Sequence, residues 1–137
     1  MNSLKLIASG MAGALAVCLV LRFIWASRAH QSKASLWRGS NAFNELLYVS
    51  SHALMGGGIG WLFWLSWGFT AVADLGWWQQ GLAFGLGNAL VFGLLPLLML
   101  RSLLRAESQL YWLLSAEIVS TCAAAGMAAS WSWKQGF

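Results

Sequence analysis

Charge is scarce in this chain: 8 Lys and Arg with 4 Asp and Glu make only 9% of its 137 residues, where soluble domains carry about 25%. That shortage excludes an ordinary soluble fold, because a domain of this size must cover its surface with polar groups. Cysteine is equally sparse. Cys18 and Cys122 are too few for a disulfide scaffold, and no Cys-x-x-Cys occurs. With only His30 and His52 beside them, the chain has no ligand spacing for zinc or haem. No cofactor and no metal site are therefore expected. What the chain does have is apolar: 59% hydrophobic residues, including 10 Trp and 7 Phe, which also excludes disorder. The solvent for such a surface is lipid.

A helix crossing about 30 Å of hydrocarbon needs roughly 20 mostly apolar residues. Four runs meet that length, at about 4–26, 46–73, 81–100 and 110–132. They lack the alternation of barrel strands, so the expected fold is an all-α bundle of four transmembrane helices in a single membrane domain. The second run is overlong and should tilt, bend near Gly56-Gly57-Gly58 or end before Asp74. The first is read as a retained span, since its apolar stretch exceeds a signal-peptide core and runs into Arg22. The connection at 27–45 is polar and basic, and a short interfacial helix or loop is expected there.

Orientation follows from the basic residues, which are retained on the cytoplasmic side. Arg22, Arg28, Lys33 and Arg38 flank the first connection and Arg101 and Arg105 the third, against Lys5 and Lys134 on the other side. Both termini should face outward, periplasmic in a cell inner membrane. The net charge of +4 is thus a topology signal. No basic run is interleaved with stacking aromatics, so no nucleic-acid partner is expected. Trp25, Trp37, Tyr48, Tyr111 and Trp112 should mark the inner interface and Trp77, Trp78, Trp131 and Trp133 the outer one. Trp61, Trp64 and Trp67 recur every three residues and should spread over one side of the second helix, toward lipid or a partner subunit.

Because lipid tails are as apolar as Leu, helices associate through small residues that let backbones approach. Gly81, Gly85, Ala89 and Gly93 form such a ridge on the third helix, with Asn88 beside it to hydrogen-bond across. Ala8, Ala12 and Ala16 are the expected seam of the first helix, Gly56 and Gly60 of the second, and Ala124 and Ala128 of the fourth. These residues serve internal packing or, on the third helix, a homodimer or partner surface.

Ionisable groups within hydrocarbon are costly and point to function or to a buried pair. His52 lies six residues into the second run and Glu117 seven into the fourth, so both sit about 10 Å deep at 1.5 Å per residue. Even-numbered helices enter from the same face, which lets the two meet as an ion pair or a shared-proton hydrogen bond. Arg22 and Arg101 lie near the same level, completing an expected polar cluster. Such a cluster relays protons, binds a cation, holds a headgroup, or fixes helix register. The adjacent Ser50, Ser51 and His52 face different ways on a helix and make no nucleophile.

Almost no soluble mass remains to transform a water-soluble substrate. The function expected is a non-enzymatic accessory or structural subunit that binds a membrane partner or complex, or self-associates within the bilayer. The alternative is a small oligomeric transporter or channel in which Glu117 and His52 take up protons or a cation. A membrane enzyme acting on lipid or quinone stands third and requires a lipid-accessible cleft at the polar cluster.

Overall fold

A computed structural model describes residues 3–29, 42–66, 74–103 and 108–135. Among these residues the fold is all-helical, with four helices long and apolar enough to cross a membrane. The elements are α1 (Ser3–Ala29), α2 (Ala42–Leu65), α3 (Trp77–Asn88), a π-helical stretch (Ala89–Leu94), α4 (Leu95–Leu103) and α5 (Ser108–Lys134). The third span is α3, the π stretch and α4 run together. Its break has a local cause. Pro96 has no N–H to offer and its ring crowds the carbonyl four residues back, and just before it the Leu95 N–H reaches five residues back to the Leu90 carbonyl. A one-turn widening absorbs the proline without a broken helix.

Of the outcomes expected for the overlong second run, the structure shows an end before Asp74: α2 stops at Leu65, with Ser66 in a turn. It passes through Gly56-Gly57-Gly58 as continuous helix. Residues 30–41, which carry most of the first connection with His30 and Trp37, lie outside the described residues, as does Trp67.

α5 is the hub. It packs against α1, α2 and α3, while α1 pairs with α2 and the third span meets α2 only slightly. Glycine contacts set the directions. Gly10 of α1 lies against the Gly56 carbonyl, and Gly60 against the backbone of Leu6 and Ile7, so α1 and α2 run antiparallel. Gly13 meets Ala124 and Ala128 of α5; Gly81 meets Gly126 and Met127; Gly85 meets Cys122 and Ala123. At these points a Cβ would run into backbone atoms, which is why the sequence spends glycine there. The Gly81, Gly85, Ala89 and Gly93 ridge thus lies against α5, Gly93 on the Ile118 side chain.

The first helix departs from expectation. Ala8, Ala12 and Ala16 face outward, and the buried row is Leu6, Gly10, Ala14 and Cys18. Both rows repeat every four residues, but only the second contains a glycine that lets α2 approach to backbone contact. At the far end Phe63 of α2 is fully buried, edge-on to Phe84 at 5.0 Å and to Trp133 at 5.9 Å. Edge-to-face pairs add about 0.5–1.5 kcal/mol beyond burial, and here they join α2, α3 and α5. Trp133 is accordingly turned inward, unlike the exposed Trp77, Trp78 and Trp131.

Candidate functional site

The end of the bundle where α1 finishes and α2 and α5 begin carries the buried ionisable groups. His52 and Glu117 face each other across α2 and α5, with Nε2 3.1 Å from Oε1 and side chains 5% and 14% exposed. The His52 ring is held from its own helix. Its Nδ1 lies 2.9 Å from the Tyr48 carbonyl oxygen, and a carbonyl only accepts, so Nδ1 carries a proton and donates it. With Nδ1 committed there, Nε2 is the ring nitrogen that faces Glu117.

Tyr48, Cys18 and Thr121 complete the surroundings. The Tyr48 ring lies 4.5 Å from that of His52, and its hydroxyl is within electrostatic reach of Glu117. Cys18 of α1 is buried and also feels Glu117. The Tyr48 hydroxyl, His52 Nε2 and the Thr121 hydroxyl are buried without an aligned hydrogen-bond partner. His52 Nε2 and the Tyr48 hydroxyl both lie within reach of Glu117, which marks a polar site in an apolar bundle.

The two arginines expected in this cluster have other partners than the pair, although Arg22 still acts electrostatically on Cys18 and Tyr48. Arg22 forms an ion pair with Glu45 of α2, at the half-exposed mouth of the bundle. There both charges keep part of their hydration, which a contact with Glu117 would remove. Arg101 sits 5.7 Å above the ring of the buried Tyr111, a cation–π arrangement. Tyr48 and Tyr111 therefore point into the bundle and do not form an interfacial belt, whereas Trp112 is exposed. Tyr48 and Glu45 are the residues that sequence reasoning missed. The spacing Glu45, Tyr48, His52 places all three on one helical face and was the available signal.

A second polar group occupies the opposite end. Ser130 donates to the Oε1 of the buried Gln80 at 3.1 Å, and Ser9 pairs with Ser132. Between the two groups α5 offers only 122–129, all Cys, Ala, Gly or Met, and α1 between Ser9 and Cys18 is apolar throughout. From Thr121 to Ser130 that gap is about 14 Å. Among the described residues no polar path joins the ends.

Beside the pair, on the other face of α5, lies an apolar cleft of about 340 Å³. α2 lines it with Met55, Gly58 and Leu62, the third span with Phe92 and Pro96, and α5 with Ile118. It exists because the third span packs on α5 and hardly touches α2. Asn88 is the one amide in its wall, and its Nδ2 donates to the Phe84 carbonyl of its own helix at 2.8 Å, not across the helix interface. The lining includes neither His52 nor Glu117, so the cleft does not open onto the polar cluster as a lipid- or quinone-modifying enzyme requires. No known protein family, curated protein or solved structure matches the chain.

Proposed function

We propose that this chain is a multi-pass protein of a cell inner membrane, with both termini outside, that serves as a non-enzymatic accessory subunit for a membrane partner. The observation that carries this reading is the apolar cleft between α2 and the third span. Apolar concavities of this size bind ligand or partner side chains, and this one lies between α2 and the third long helix. The glycine ridge is occupied by α5, which leaves the cleft and the exposed leucines of α4 as the partner face.

Extraction from the native membrane in mild detergent, followed by mass determination, tests the reading. A defined heteromeric complex is expected. Gly58→Leu sharpens it: a Cβ at Gly58 meets nothing, so the added side chain fills the cleft without disturbing the bundle and should release the partner. Gly87→Leu, exposed and equally unobstructed, is the control that should retain it. A chain that elutes alone from native membranes overturns the proposal.

A small proton- or cation-coupled transporter is the second reading, favoured by the buried pair of His52 and Glu117. The apolar middle of the bundle weighs against it. Proton flux in liposomes that is present in wild type and absent in Glu117→Gln would displace the accessory reading.

A further inference from the structure

We propose that His52 and Glu117 form a one-proton binding site, loaded from the α1–α2 mouth and closed toward the other end. The ligand is a proton, and the argument is one of charge. Glu117 is nearly buried, and an ionised carboxylate in such surroundings must be neutralised or protonated. Among the described residues the cations at this end are met: Arg22 by Glu45 and Arg101 by the Tyr111 ring. Among the described residues His52 is the remaining basic group at contact distance, beside the Tyr48 hydroxyl. Its Nδ1 proton is committed to the Tyr48 carbonyl, so a neutral ring would turn a lone pair on the carboxylate oxygen 3.1 Å away. Two acceptors at that distance repel. One proton relieves this, held on Nε2 as imidazolium against carboxylate or on Glu117 as acid against imidazole. Both forms are neutral over the pair, and they differ only in which atom holds the proton.

Among the described residues, α1 supplies Cys18 and Arg22 and α2 supplies Tyr48, with Glu45 paired to Arg22 at the mouth and the buried Thr121 one turn beyond Glu117 on α5. The Tyr48 hydroxyl, within hydrogen-bond reach of Glu117, becomes a donor to the carboxylate by rotation about a single bond. Toward the mouth, Glu45, Tyr48 and His52 lie on one face of α2 and form a polar ladder from the half-exposed ion pair inward. In the other direction the contacts of Gly10 with Gly56 and of Gly13 with Ala124 close the bundle backbone to backbone. The proton enters and leaves by the same side.

Infrared and histidine-selective ¹⁵N NMR spectra of the purified chain in nanodiscs at neutral pH test this. His30→Gln assigns the His52 signals and Glu117→Gln the carboxyl band. The expected result is one proton on the pair: either a His52 imidazolium with ionised Glu117, or a protonated carboxyl with a neutral ring. In Glu117→Gln the His52 spectrum should change, and wild-type liposomes should show no transmembrane proton flux. Neutral His52 together with ionised Glu117 in wild type overturns the proposal without recourse to any variant. A His52 spectrum unchanged by Glu117→Gln also overturns it, and sustained flux overturns the one-sided access. None of these outcomes depends on a partner binding the cleft.

Discussion

His52 holds its Nδ1 against the Tyr48 carbonyl and its Nε2 against Glu117, so a single imidazole ties α2 to itself and to α5. That double attachment makes the two single deletions unequal. His52→Leu leaves a buried carboxylate with no cation in contact, and breaking a buried pair in this way costs about 3–5 kcal/mol. Glu117→Leu leaves an imidazole that keeps the Tyr48 bond and lacks only its second partner, for about 1–3 kcal/mol. The double variant should lose less than His52→Leu alone. Reversible unfolding in mixed micelles measures all three, and equal single effects that simply add would show the residues to be uncoupled.

Glycine tolerance should divide sharply by position. A Cβ at Gly10 runs into the Gly56 carbonyl, and one at Gly56 into Gly10 and Ala14; both obstacles are at the heart of the α1–α2 contact and neither can rotate away. Gly10→Val and Gly56→Val should each destabilise by about 1–3 kcal/mol or more, seen as a lower melting temperature in detergent. Gly58→Leu and Gly87→Leu meet open space and should leave that temperature nearly unchanged.

The four long apolar helices were legible from run length and hydropathy, since a helix able to cross lipid needs about 20 apolar residues. The depth arithmetic for His52 and Glu117 also needs only the span starts, and in the structure the two side chains are in contact. Arg22 and Arg101 were not legible in the same way. Level alone does not choose a partner, and the half-exposed Glu45 offers Arg22 a pair at smaller desolvation cost than Glu117 does. The first helix shows the same limit: Ala8, Ala12 and Ala16 and the row through Gly10 and Ala14 share one spacing. Only the approach of α2 to Gly10 decides between them.

The opposite end of the bundle should respond more mildly than the pair. Ser130 donates to Gln80 from a fully buried position, and hydrogen bonds between transmembrane helices average about 0.6 kcal/mol. Ser130→Ala should therefore cost about 1 kcal/mol or less in the same unfolding measurement. A loss as large as that of His52→Leu would mean that Gln80 anchors the third span more strongly than a single neutral bond allows.

The π stretch at Ala89–Leu94 supplies the last test. A π turn accommodates one residue more than the α-helix around it, and the helix keeps its face toward α5 up to and within it: Gly81 and Gly85 before it, Gly93 against Ile118 inside it. Leu90 points outward in this stretch. Deleting Leu90 should convert the turn to regular α-helix while both halves keep their faces. Deleting Ala83 instead rotates Gly81 by about 100° relative to Gly85, so one of them must leave the α5 seam. The first deletion should yield folded, monodisperse protein and the second should not. If both deletions fail alike, the π geometry is required in itself, as Pro96 would demand when no widened turn precedes it.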